Sequence, residues 1–199
     1  TDWQGTLSID ESPHLLNPKT GWLYNSNDAP WSAAGPGTFK KEDSPAYVEM
    51  GGETARGLHA VRVFSARKDL TLDSLIGAAF DSYLTWFSKP IPALIKAWDD
   101  APDSDPLKEK LTDQIKVLRE WDLRWAENSV PTSLAVYWGQ EIQRRTHTEA
   151  EDDETPIYDY VATRVPPQEL LEALAVASDR LASDFGTLKT PWGNINRYQ

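Results

Sequence analysis

The chain is 199 residues long and carries 20 Lys and Arg against 31 Asp and Glu, a net charge of −11. Without a basic stripe or cations interleaved with aromatics, that balance argues against binding nucleic acid or an anionic membrane surface. The absence of cysteine excludes disulfides and thiol-based metal or redox chemistry. No apolar run approaches the roughly 20 residues that span a bilayer.

In chain order, residues 1–65 are rich in Gly, Pro, Asn and Trp and read as a strand- and loop-containing segment. Thr6–Ile9 and Tyr47–Met50 are its short strand-like runs. Asn17-Pro18-Lys19-Thr20-Gly21 is a turn that feeds the apolar run Trp22-Leu23-Tyr24, followed by Asn25-Ser26-Asn27-Asp28-Ala29-Pro30-Trp31. On an extended segment residues i and i+2 point to one face, so Asn25 and Asn27 are expected to aim their carboxamides the same way. An amide NH2 fixed there can donate hydrogen bonds to a developing oxyanion without carrying charge. The other reading of Asn27 is that it satisfies turn backbone, a common asparagine role. Ser32 to Pro45 reads as an exposed excursion.

Residues 66–199 form a helical segment. Thr71 is placed to cap a helix carrying Leu72, Leu75, Ile76, Ala79, Phe80, Tyr83 and Phe87 at three- and four-residue steps. Pro90 and Pro92 interrupt it, and Ala93–Trp98 adds a short helix. Asp105 before Pro106 starts the next, with Leu107, Leu111, Ile115 and Leu118 on one face. Ser129 and Pro131 open another with Leu134, Trp138 and Ile142. The acidic run Glu149–Glu154 reads as a solvated loop, and a final amphipathic helix spans 167–183. The chain then ends in a Trp-Gly strand or loop. The three histidines, His14, His59 and His147, lack the spacing of a metal site. No Gly-x-Ser-x-Gly elbow supports a serine triad, and no cofactor or metal is called for.

Five motifs, in order along nearly the whole chain, resemble those of the penicillin acylase family of N-terminal-nucleophile amidohydrolases. They are the Asn17-Pro18-x-x-Gly21 turn with its Asn25-x-Asn27 pair, Arg56 ahead of Arg62, and Leu70-Thr71-x-Asp73-Ser74-Leu75. Next come Leu118-x-x-Trp121-Asp122, with Leu123 where the family has Gly, and Trp192-Gly193 ahead of Arg197. The resemblance implies an α+β fold, part of an αββα sandwich, that is mostly helical here with a strand- and loop-rich N-terminal third. It assigns Asn27 to the oxyanion hole and places Arg56 nearby, either orienting Asn27 or making an ordinary salt bridge. Asn25 and Trp31 are candidates for substrate contact. The nine Trp are divided between core or docking-face packing and the wall of an acyl pocket.

The resemblance further implies hydrolysis of the amide bond of small N-acyl substrates such as β-lactam antibiotics or acyl-homoserine lactones, in a periplasmic or secreted parent with a role in antibiotic biosynthesis. The nucleophile, usually Ser, and the calcium-binding carboxylates of the family fall outside this stretch. The chain is therefore expected to be an internal piece of a β chain, inactive alone and partnered by the α chain and the rest of the β chain of its own precursor. Thr1 reads as a boundary rather than a nucleophile. The alternative is a non-catalytic binding or interaction module that kept the helices and lost the chemistry.

Overall fold

A computed structural model describes residues 5–45 and 51–197. The described residues are mostly helical and include no β-strand, only isolated bridges at Ala33–Gly35 and Tyr83–Arg124. The expected helical share is present, whereas the sheet layers of an αββα sandwich are not among the described residues. Tyr47–Met50 lies outside them. The strand expected at Thr6–Ile9 is instead irregular and runs into a 3-10 turn, Ile9–Glu11. The reason is local. Glu11 turns back to accept from the Ser8 N–H and Oγ, both at 2.8 Å, and this satisfies backbone that an unpaired strand would leave open.

The chain divides into two compact units, one through Asp81 and the other from Ser82 onward. In the first, Pro18–Gly21 forms a turn closed by Gly21 N–H to Pro18 O at 3.0 Å. It delivers Trp22 onto Phe64, with ring centroids 5.4 Å apart. Phe64 belongs to α1 (Ala55–Ser65), whose N-cap Thr54 accepts from Gly57 N at 3.1 Å. Helix α2 (Leu72–Ala79) starts with the expected Thr71 cap, reciprocated by Ser74, which accepts from the Thr71 N–H at 2.8 Å. It stops short of Tyr83 and Phe87.

Two backbone hydrogen bonds explain why the periodic run does not continue as helix. Leu84 N–H donates to Leu123 O at 2.8 Å and Trp125 N–H to Ser82 O at 3.0 Å. The second unit then builds α3 (Pro90–Asp100), α4 (Pro106–Lys110), α5 (Thr112–Arg119), α6 (Val130–Asp152), α7 (Ile157–Thr163), α8 (Pro167–Phe185) and α9 (Trp192–Ile195). Pro90 does not interrupt a helix but begins one, because first-turn N–H groups have no intrahelical acceptor to lose. Asp105 and Ser129 cap α4 and α6 as expected, accepting from Leu107 N at 2.8 Å and Thr132 N at 3.3 Å.

The core of this unit lies between α6 and α8, with α3, α5 and α7 closing around them. Leu94, Ile115, Leu134, Trp138, Ile142, Leu171, Leu174 and Leu181 are buried in it. Each such aliphatic side chain contributes about 1.5–3 kcal/mol relative to exposure. Trp138 also donates its indole N–H to Leu170 O at 3.2 Å. The acidic run is not a loop up to Asp152. Ala150 is buried and extends the stripe of Ile142 and Thr146, so α6 continues while Glu149, Glu151 and Asp152 face solvent. Toward the end of the described residues, Trp192-Gly193 lies in a short helix rather than the expected strand or loop. Gly193 N–H donates to Glu127 O at 2.8 Å, and a Cβ on Gly193 would lie 2.4 Å from Glu127 Cγ.

Leu123 has φ +61°, a backbone state that favours glycine. This accounts for the glycine that the motif carries at that place. Leu123→Gly relieves the strain that Leu123→Ala retains, and both lose the same side-chain packing. Thermal or chemical unfolding should find the Gly variant more stable than the Ala variant by about 1 kcal/mol.

Candidate functional site

The asparagine loop is held from below by Tyr24, whose N–H donates to Ala33 O at 2.8 Å. After Tyr24 the chain is no longer extended. Asn25 Oδ1 accepts from Asn27 N–H at 3.1 Å, an Asx turn, and Asn27 adopts φ +59°. The two carboxamides therefore do not share a strand face. The i, i+2 rule fails because asparagine closes a turn on its own backbone and tolerates the left-handed region. Asn25 braces the loop, and Asn27 is left at its exposed tip.

Arg56, in the first turn of α1, reaches the same tip. Its Nη2 donates to Ser26 O at 2.7 Å and to Asn27 Oδ1 at 3.4 Å. A guanidinium has donors and no acceptor, so the amide oxygen of Asn27 faces Arg56 and the NH2 is directed elsewhere. That arrangement can present an oriented, neutral hydrogen-bond donor to a ligand.

Beneath the tip lies a network that the motif spacing did not disclose. Asp28 Oδ1 accepts from Ser26 Oγ at 3.0 Å. Its Oδ2 accepts from Thr54 N and Thr54 Oγ1, both at 3.3 Å, and from Tyr24 OH at 3.5 Å. Gly57 makes room for it, since a Cβ there would sit 1.9 Å from Asp28 Oδ2 and 2.8 Å from Tyr24 OH. The sequence signals for this network were present but local: a Thr-x-x-Gly cap at 54–57 and an acid directly after Asn27.

Glu53 sits beside Asp28 and accepts from Ser32 Oγ. Burial raises the Glu53 carboxyl above its ordinary value of 4.5, and the Asp28 charge adds to the rise. Tyr24 is pushed up to about 12 by burial first and then by Asp28 and Glu53, so its phenol stays a donor across the working range. Trp31 is half-buried, with its indole N–H donating to Gly51 O at 3.0 Å. Together with Phe39 and Glu53 it lines an open cleft of about 450 Å³. Each histidine has a neighbour of its own. His14 Nδ1 lies 2.9 Å from Ser12 O, His59 faces Asp81 at 3.5 Å, and His147 faces Glu151 at 3.4 Å on α6. Among the described residues no group of three or more His, Asp or Glu side chains is placed to hold a metal ion.

The raised Glu53 carboxyl has a consequence for stability. The folded chain binds the Glu53 proton more tightly than the unfolded chain does. Stability from this group is therefore present at low pH and is lost as pH rises from about 4.5 through the raised value. Glu53→Gln removes the penalty, so its melting temperature at pH 7 should exceed that of the parent, with the gap closing by pH 4. A gap that does not change with pH would contradict this origin.

The family model of penicillin amidase matches residues 1–199, the whole chain. The chain belongs to the penicillin amidase family.

Proposed function

We propose that Asn27 is an oxyanion-hole donor in an amidohydrolase that cleaves the amide bond of small N-acyl compounds, with β-lactam antibiotics and acyl-homoserine lactones as the candidate classes. The observation that supports this most directly is the Arg56–Asn27 contact, which turns the amide oxygen to the guanidinium and leaves the NH2 for a ligand. On this reading a terminal serine of another segment attacks the acyl carbon, its own α-amine taking the proton. Negative charge then gathers on the former carbonyl oxygen, and Asn27 Nδ2 donates to it. Collapse of the tetrahedral intermediate expels the amine, and water releases the acid in the second half of the cycle. Asn25 holds the loop, and Trp31 and Phe39 offer an apolar wall at its side.

The same reading makes this chain one part of a periplasmic or secreted acylase, completed by the α chain and the remainder of the β chain. Arg56 serves by orientation and charge, because a guanidinium stays protonated and transfers no proton.

In the full-length enzyme, Asn27→Ala should lower kcat by about 10²–10³ with KM nearly unchanged, as expected for a contact made in the transition state. Arg56→Lys loses the guanidinium fork and should lower kcat by a smaller factor. Steady-state turnover on chromogenic N-acyl substrates measures both. An Asn27→Ala enzyme with kcat near that of the parent would refute the assignment. A full-length protein that binds N-acyl compounds and turns none over would favour a binding module instead.

A further inference from the structure

The loop bearing Asn27 contains one charged group that the proposed chemistry does not use. Asp28 is half-buried and accepts hydrogen bonds from three other residues: Ser26 in its own loop, Tyr24 ahead of it, and Thr54 across the fold. Thr54 is the N-cap of α1, and Arg56 lies two residues into that helix. One carboxylate thus ties the turn that carries Asn27 to the helix start that carries Arg56. Its charge faces the N-terminal end of α1, where the peptide dipoles favour an anion.

We propose that Asp28 is a positioning residue for the oxyanion donor, fixing the distance and angle between Arg56 and the Asn27 carboxamide; this rests on the amidohydrolase reading above. Gly57 is the second half of the device. It occupies the third position of α1, where helix propensity disfavours glycine. With any side chain there, the carboxylate could not keep its place 1.9 Å from the position of a Cβ. The surroundings of Asp28 also favour an acid. Ser26 Oγ, Thr54 Oγ1, Thr54 N–H and Tyr24 OH all donate to the carboxylate, whereas an asparagine accepts on one side only and would need a hydroxyl such as Ser26 Oγ to turn over and accept from its NH2. The loop would then shift, Asn27 would leave Arg56, and the amide could turn its oxygen outward.

The test is a double-mutant cycle in the full-length enzyme, read by kcat and KM on one chromogenic N-acyl substrate. Asp28→Asn should lower kcat by about tenfold to a hundredfold, the scale of a misplaced group, with KM within threefold. In the Asn27→Ala background the same change should have less than a twofold effect, because no donor remains to be positioned. Gly57→Ala should repeat both results by displacing the carboxylate. Thermal unfolding establishes that each variant is folded, and Asp28→Asn alone suffices if Gly57→Ala is not. If Asn27→Ala leaves kcat intact, the oxyanion assignment fails and this proposal with it. If Asn27→Ala lowers kcat while Asp28→Asn has no effect, or acts equally in both backgrounds, the positioning role is overturned and the oxyanion assignment stands.

Discussion

The Asp28 carboxylate lies in a slot that exists only because residue 57 has no side chain, and the arrangement around Asn27 follows from that contact. The anion faces Thr54 at the head of α1, so the loop must meet the helix at its first turn, and Arg56 is then within reach of Ser26 O and Asn27 Oδ1. The same anion raises its neighbours. Glu53 is held above the usual carboxylate range and Tyr24 far above the usual phenol range, each through burial first and then through Asp28. A half-buried cluster of two carboxylates and a phenol costs stability, and the donors from Ser26, Thr54 and Ser32 offset part of it. Local strain adds to that cost, since Asn27 holds a left-handed backbone.

The second unit is governed by a different constraint. Its buried positions are mostly aliphatic or aromatic. Several buried polar groups find partners, as when Gln114 Nε2 donates to Ser178 Oγ at 2.8 Å or the Trp138 indole to Leu170 O, whereas Gln114 Oε1 and Ser133 Oγ are buried without one among the described residues. Gly139 works here as Gly57 does in the first unit. A Cβ on it would approach Phe87 to 3.1 Å, so its absence lets the aromatic ring lie flush against α6. At Trp121–Arg124 the chain turns through Leu123 at positive φ, closed by Asp122 Oδ1 accepting from Arg124 N and by the Trp121 indole donating to Arg124 O, both at 2.9 Å. Gly57, Gly139 and Gly193 each mark a place where a side chain comes unusually close to the backbone.

What could be read from sequence was what local chemistry dictates. Thr71, Asp105 and Ser129 announced helix starts because a side-chain oxygen there has an unpaired N–H to accept from, whatever the rest of the chain does. The face of Leu107, Leu111, Ile115 and Leu118 and the 167–183 helix were read from periodicity, although the single helix expected for that face divides at Leu111 into α4 and α5. The errors came where distant partners decide. The run toward Phe87 has helical spacing, yet Leu123 and Trp125 pair its backbone at Leu84 and Ser82 otherwise. Glu149–Glu154 has the composition of a loop, yet one buried alanine keeps its first residues helical. Helix α7 carries no strong cap or long periodic run, and it forms because Tyr158 and Val161 find cover against α3 and α6. At the candidate site the sequence pointed to Asn27 and Arg56 through a resemblance, whereas their contact arises from an Asx turn and a left-handed residue that a strand reading could not include.

The exposure of Asn27 bears on how such a donor can work. In bulk water an amide NH2 competes with solvent for an oxyanion and gains little, so a donor at an open loop tip has small catalytic value by itself. On the proposed reading the loop supplies preorganisation: Asn25 fixes the turn, Asp28 anchors it, and Arg56 selects the face of the amide, so reorganisation at the moment of reaction is small. The electrostatic benefit comes only when water is excluded, which on the proposed reading is the task of the nucleophile-bearing segment and the bound acyl group. The division of labour is therefore physical as well as topological. One part of the protein holds the dipole still, and the covering part lowers the dielectric around it, so each has its full effect only in the presence of the other.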